Sequence, residues 1–226
     1  MESALCPADL IRNDPDFQLI ETFGHVPGQG VARLSLHLAR LQRSADAFGL
    51  AFNQAEIRQS LQDRHGDTPQ RVRVTLSVDG SVEVTFAPMP DAARVWTFAI
   101  APERLNSEDP FLRYKTTRRA LYDDARKNLP QGIDEWVFLN ERDEVCEGTI
   151  TNISITTETG ARLTPPTSSG CLPGVYRQSC LNKSLVREAV LTLSDLHAAV
   201  SINLTNSLRG SIQARWDPAC AVLQTM

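Results

Sequence analysis

The feature that most constrains the fold is the Asp79-Gly80 pair, set between two alternating runs, Arg71 to Val78 and Ser81 to Phe86. Aspartate followed by glycine supplies the positive-φ backbone that a tight hairpin turn demands, so these runs are predicted to pair antiparallel. Helical signals precede them. From Ser35 to Phe48 the residues Leu36, Leu38, Leu41, Ala45 and Phe48 recur at roughly helical spacing, and Gly49 ends the run. Asn53 is placed to cap a second helix through about His65, and Phe17 to Phe23 reads as a strand before a Pro/Gly turn at residues 24–30. An antiparallel hairpin beside helices makes this first unit α+β.

The rest of the chain continues in that style. Val95 to Ala101 reads as a strand, Pro102 to Pro110 as a polar connection, and residues 118–128 as a helix. Asp134 to Asn140 and Val145 to Thr157 read as a strand pair around the charged turn Glu141-Arg142-Asp143-Glu144. The turn-rich segment from Thr164 to Gly174 then opens onto a helix expected from Val175 to about Leu191, and Val200 to Thr205 forms a late strand. No internal repeat is visible. The expected organisation is two α+β lobes: a small N-terminal domain over residues 1–93, a connecting segment over 94–108, and a larger C-terminal domain over 109–226.

Composition excludes several function classes. With 226 residues, 42% of them hydrophobic, the chain can bury one large core or two small ones. A formal charge of −4 leaves no basic surplus to neutralise phosphates, which argues against nucleic acid as a partner. No apolar run approaches membrane-spanning length, and Met1-Glu2-Ser3-Ala4-Leu5 lacks a basic-then-apolar signal pattern. Five cysteines, odd in number and without CxxC pairs, point to a reduced, cytoplasmic protein with neither a disulfide framework nor a metal site.

Two residues carry the chemistry. Lys115 lies in Arg113-Tyr114-Lys115-Thr116-Thr117-Arg118-Arg119, where neighbouring cations disfavour its charged form and free its amine as nucleophile or base. Glu147 lies in Val145-Cys146-Glu147-Gly148-Thr149-Ile150-Thr151-Asn152, a strand whose half-buried face requires a carboxylate to find a cationic partner. Together they suggest a site built around an electrophilic, positively charged ring. Each has an ordinary alternative: a solvated lysine at a helix entrance, and a strand glutamate facing water. Gly174, with the amides of Val175 and Tyr176 at a helix start, forms a candidate anion site. Arg40, which in isolation reads as an exposed helical arginine, is of the type that grips phosphate through two donors.

Taken in order, Arg40, Lys115, Glu147, Leu172-Pro173-Gly174-Val175 and Asn206-Ser207 resemble the fold-type IV pyridoxal-phosphate enzymes. This is the class IV aminotransferase family, which includes branched-chain and D-amino acid aminotransferases and 4-amino-4-deoxychorismate lyase. The resemblance runs over about residues 17 to 215. It implies a two-lobe D-amino acid aminotransferase-like α+β architecture, a homodimer, a small amino substrate, and pyridoxal 5'-phosphate as cofactor in the C-terminal domain. It further implies that the Lys115 nitrogen joins the cofactor aldehyde and that Glu147 keeps the pyridine nitrogen protonated. Arg40, the Val175 and Tyr176 amides and Ser207 would hold the phosphate, with Gly174 allowing close approach; Tyr122 and Asn152 match positions that line or support the pocket.

Tyr114 to Asp123 looks like the lysine segment of aminodeoxychorismate lyases, and Asn206-Ser207-Leu208-Arg209-Gly210 resembles their late-strand motif. The implied reaction is α-proton abstraction and β-elimination, releasing pyruvate and 4-aminobenzoate on the route to folate. Two alternatives stay open: a transaminase acting on branched-chain or other amino acids, and a catalytically idle protein of the same fold. Arg73, Arg118 and Arg209 are candidates for substrate carboxylates. The Gly-Asp-Gly segment and extra strand common at the start of family members are missing; Asp14 to Thr22 stands there instead, which shortens part of the substrate-side wall. No Arg-x-His trap of the D-amino acid type occurs in the 71–86 hairpin.

Overall fold

A computed structural model describes residues 7–11, 13–62, 67–91 and 95–220. The chain divides into two compact units, Met1–Asp91 with Tyr114–Arg118, and Ala92–Arg113 with Arg119–Met226.

The first unit is built on a four-stranded antiparallel sheet of order β2-β1-β3-β4, formed by β1 (Gln18–Val26), β2 (Gly30–Val31), β3 (Gln70–Ser77) and β4 (Val82–Pro88). Strand β3 alternates as its sequence requires: Val72, Val74 and Leu76 are fully buried while Arg71 and Arg73 face outward. The expected hairpin forms with Val72 opposite Phe86 and Val74 opposite Val84. Its loop is longer than the two residues expected. Ser77 N–H bonds the Ser81 carbonyl at 3.0 Å, so Val78, Asp79 and Gly80 make a three-residue loop, with Gly80 left-handed at φ 85. The strand expected to end at Phe23 continues to Val26 before turning into β2.

Helices α1 (Pro7–Ile11), α2 (Leu34–Phe48) and α3 (Gln54–Gln62) complete this unit. Helix α1 was not anticipated from sequence. Asn53 Oδ1 accepts the Ala55 N–H at 3.0 Å and so caps α3, while residues 63–66, where that helix was expected to end, lie outside the described residues. Helix α2 ends at Gly49, which is left-handed. Its inner face carries Leu38, Leu41, Ala45 and Phe48 as expected, but also His37, Arg40 and Ser44, all buried. A single carboxylate accounts for two of them. Glu21 on β1 accepts hydrogen bonds from Arg40 Nε and Nη2, each at 2.7 Å, and from His37 Nδ1 at 2.6 Å. At 5% exposure Arg40 is not the solvated helical arginine that its local sequence suggests.

Burial alone would raise the Glu21 carboxyl, but the Arg40 guanidinium and the bonds from His37 and Arg40 override it and hold it at about 2. His37 is lowered, chiefly by burial, against the pull of Glu21. Both groups therefore bind protons more weakly folded than unfolded. Their contribution to stability is complete above the ordinary His value of 6.5. It falls first through His37, then between 4.5 and about 2 through Glu21. Glu21→Gln is expected to remove the negative charge facing a buried guanidinium and destabilise the protein by about 3–5 kcal/mol. Thermal unfolding of both proteins from pH 7 to 2 should show the wild-type acid slope flattened in the variant.

The second unit is a mixed sheet of order β10-β9-β8-β11-β12-β5-β6-β7. Its strands are β5 (Trp96–Leu105), β6 (Glu135–Asn140), β7 (Val145–Gly148), β8 (Asn152–Thr156), β9 (Arg162–Thr164), β10 (Arg187–Glu188), β11 (Ser201–Asn206) and β12 (Gly210–Trp216). Because β7 also pairs with β8, the six strands from β8 to β7 close into a barrel. One core cluster gathers Phe98, Val137, Leu139, Ile153, Leu204 and Ile212, and another Ala101, Trp136, Phe138 and Cys146. Around them stand α4 (Ala120–Lys127), α5 (Val175–Asn182) and α6 (Leu193–His197).

Three sequence expectations change here. The polar connection expected from Pro102 is instead the second half of β5; the register against β6 shifts between Ile100 and Arg104, and that irregularity admits a proline with no N–H to give. The long strand expected from Val145 breaks into β7 and β8, because Gly148 N–H bonds the Thr151 carbonyl at 2.7 Å and folds the chain back on itself. The helix expected to reach Leu191 stops at Asn182: Ser184 turns left-handed at φ 53, β10 pairs parallel with β9, and Leu191 sinks into the core at 1% exposure. Strand β12, also unanticipated, follows a turn in which Asn206 Oδ1 accepts the N–H groups of Leu208 and Arg209. No helix among the described residues is long and apolar enough to cross a membrane.

Candidate active site

In the second unit the chemistry centres on Glu147, which is 6% exposed on β7 and so does not face water. Three donors converge on its carboxylate. Tyr122 Oη, from α4, donates to Oε1 at 2.8 Å; Leu172 N–H donates to Oε2 at 3.0 Å, and Asn152 Nδ2 approaches Oε2 at 3.4 Å. Asn152 stands directly opposite Glu147 in the β7–β8 register, and its amide also donates to the Leu172 carbonyl at 2.9 Å. Strand pair, loop and helix are thereby tied together at one carboxylate. Burial first, then the Glu147 charge, pushes the Tyr122 phenol well above its ordinary range, so it stays a donor.

The loop beyond Leu172 leads straight into α5. Gly174 is its N-cap, in extended conformation and with no side-chain cap bond. Glycine is required at that position: a Cβ there would strike Asn152 Oδ1. The same asparagine thus reaches both the carboxylate and the helix entrance. Ser207 sits in the β11–β12 turn, and Arg209 beside it places its guanidinium 5.4 Å from the Trp96 ring centroid.

The neighbouring thiols are not competitors for the chemistry. Burial raises both, Cys171 to about 12 and Cys146 further, so neither supplies a thiolate nucleophile at neutral pH. Among the described residues no group of three His, Cys, Asp or Glu side chains is gathered to hold a metal ion.

The other sequence candidates lie in the first unit. Lys115 is half buried, on a segment laid against β1: its carbonyl accepts the Ile20 N–H at 2.8 Å, and Thr117 N–H bonds the Gln18 carbonyl at 2.9 Å. Tyr114 packs edge-on against Phe48, with centroids 4.8 Å apart. Arg118 Nε pairs with Asp14 at 2.9 Å and its Nη2 donates to the Leu10 carbonyl, while Arg73 faces outward on β3. Arg40 is oriented by Glu21. Of the residues singled out from sequence, the fold therefore joins Tyr122, Glu147, Asn152 and the 172–175 loop in one hydrogen-bonded group. Lys115, Arg40, Arg73 and Arg118 belong to the other unit.

Sequence reasoning missed Leu172 as a donor, Glu21 as the partner of Arg40, and Glu135, a wholly buried acid on β6. Glu135 carried a usable signal, since an acid among Trp136, Val137, Phe138 and Leu139 must be satisfied internally.

These residues suit pyridoxal 5'-phosphate. A buried carboxylate matches a protonated ring nitrogen, and a helix start that opens on glycine matches a phosphate.

The family model for class IV amino-transferases matches residues 18–215. A candidate amino-acid aminotransferase of Mesorhizobium loti is 38% identical, with 89% of this chain and 100% of that one covered at a TM-score of 0.85. A branched-chain aminotransferase of Thermoproteus uzoniensis is 20% identical over 100% of this chain and 85% of that one, at a TM-score of 0.79. A 4-amino-4-deoxychorismate lyase of Pseudomonas aeruginosa is 21% identical over 89% of this chain and 83% of that one, at a TM-score of 0.75. The curated protein sequences give no match.

Proposed function

Because the chain belongs to the class IV amino-transferase family, and so is a pyridoxal-phosphate-dependent enzyme, we propose that it acts as an aminodeoxychorismate-type lyase. Lys115 Nζ would take the α-proton of the amino substrate as general base. When bound, the cofactor supplies an electron sink for the charge left at that carbon. Glu147 holds the proton on the ring nitrogen, and its three donors fix the carboxylate so that it need not reorganise. The α5 amides of Val175 and Tyr176, the Ser207 hydroxyl and Arg40 bind the phosphate, with Gly174 letting the backbone come close. The C–O bond to the β-linked group then breaks and the group leaves as enolpyruvate, which becomes pyruvate on taking up one proton, matching the one removed by Lys115; formation of the aromatic 4-aminobenzoate ring favours that exit.

The observation carrying the lyase reading is the late-strand motif Asn206-Ser207-Leu208-Arg209-Gly210, which resembles that of the lyases. In its turn Asn206 Oδ1 orders the backbone before Arg209, a guanidinium suited to a substrate carboxylate. A second reading, transamination, is favoured by the 38% likeness to the Mesorhizobium loti protein. Either reaction would suit a cytoplasmic homodimer. One paired assay separates them. Aminodeoxychorismate should yield pyruvate and 4-aminobenzoate in equal amounts, whereas glutamate-dependent exchange with a keto acid and no 4-aminobenzoate would install the transaminase instead.

A further inference from the structure

The groups that reach Glu147 are themselves held by a second set of residues that the proposed reaction does not use. Helix α4 carries Arg119 at its N-cap, Tyr122 in its first turn and Arg126 in its last, a spacing that sets all three on one face. The arginines converge on one residue. Arg119 Nη2 donates to the Thr149 carbonyl at 3.0 Å, and Arg126 Nη1 donates to the Thr149 hydroxyl at 3.1 Å. Arg119 is steadied by Asp123 at 2.7 Å and lies 5.7 Å from the Tyr122 ring centroid. Between these two anchors, Tyr122 reaches Glu147.

Thr149 belongs to the turn that immediately follows Glu147, and that turn is wrapped around Glu135. Oε1 of Glu135 accepts the N–H groups of Trp136 and Thr149, each at 3.1 Å, and the Thr149 hydroxyl. Its Oε2 accepts the Ile150 N–H at 3.3 Å and the Thr151 hydroxyl at 3.2 Å. Arg126 Nη1 stands 3.4 Å away as the cation facing it. Gly148 has no room for a side chain, since a Cβ would meet the Thr151 hydroxyl and the Glu135 carboxylate.

We propose that Glu135, Thr149, Arg119 and Arg126 form a positioning device for Glu147. Glu135 shapes the turn that sets Glu147 opposite Asn152, and the two arginines register α4 on that turn so that the Tyr122 hydroxyl meets the carboxylate. Glu135 and Thr149 are positioning residues, acting only through Glu147. The inference rests on the reading that Glu147 meets the cofactor ring.

Thr149→Val removes the hydroxyl while keeping shape and backbone donors; Thr149→Ser keeps the hydroxyl. Glu135→Gln turns an amide NH2 toward the N–H groups of the turn. Each protein is loaded with pyridoxal 5'-phosphate, and the visible absorbance is titrated with pH alongside kcat and KM from the product assay. Amide exchange at Thr149 and Ile150 is followed without added cofactor.

Thr149→Val is expected to shift the midpoint of the absorbance titration, to lower kcat about tenfold with little change in KM, and to speed exchange at both amides. Thr149→Ser should restore all three, and Glu135→Gln, where it folds, should exceed Thr149→Val. Unchanged titration, kcat and exchange in Thr149→Val would overturn the inference, as would equal losses in the serine variant. Glu147→Gln serves as the reference. If it responds while the Thr149 variants do not, the positioning inference alone fails; if it too is silent, the cofactor reading falls and takes this inference with it.

Discussion

Lys115→Ala is expected to abolish both turnover and the near-visible absorbance of protein incubated with pyridoxal 5'-phosphate, while leaving the fold intact. The expectation of an intact fold is structural. The segment is held in its unit by its backbone, through Ile20 N–H to the Lys115 carbonyl and Thr117 N–H to the Gln18 carbonyl, and by the Tyr114 ring against Phe48, none of which the substitution removes. The lysine side chain is half buried and is not one of the buried residues of the apolar core. The alanine variant should therefore melt within a few degrees of wild type. Loss of the general base is expected to cost at least about 10²–10⁴ in kcat. An absorbance spectrum and a melting curve on the same sample suffice. A variant that keeps the band would show that another nitrogen carries the cofactor, and one that keeps turnover would remove Lys115 from the mechanism.

Glu147→Gln carries the second large effect and separates binding from chemistry. The glutamine keeps the volume of the side chain and one acceptor oxygen, so Tyr122 or Leu172 can still bond to it. What it loses is the charge proposed to hold a proton at the ring nitrogen. Cofactor affinity should then change modestly, because the proposed phosphate contacts are other residues, while kcat falls by about 10²–10³, the range seen when one preorganised electrostatic contact is removed. Equilibrium binding of pyridoxal 5'-phosphate and the product assay together make the check. Equal loss in both would make Glu147 a structural carboxylate, and full activity would exclude it from the site.

How much of this is legible in the sequence depends on the range over which each feature is encoded. The β3–β4 hairpin and helix α2 were legible because their alternation and turn chemistry lie within a few adjacent residues. The residue types at 115 and 147 are visible in the same local way, as an amine among cations and an acid in an apolar strand. The stop of α5 at Asn182 was not: its continuation was cut by the pairing of Arg187 and Glu188 with a strand some two dozen residues earlier. Pro102 misled for the same reason, because a register shift against β6 accommodates it in a strand that its own neighbours do not announce. Arg40 looked exposed because Glu21, its partner, is nineteen positions away.

The amino-acid sequence alone determined the α+β character, the antiparallel hairpin, the kind of chemistry that Lys115 and Glu147 suggest, and the order of motifs that points to the family. Only the tertiary structure decided that the second sheet closes on itself, that Tyr122, Leu172 and Asn152 share the Glu147 carboxylate, and that Glu135 and two arginines brace the turn behind it. The physical reason is burial. A polar group withdrawn from water must find its partner wherever the folded chain brings one, and that partner is set by the packing of distant strands rather than by the residues on either side.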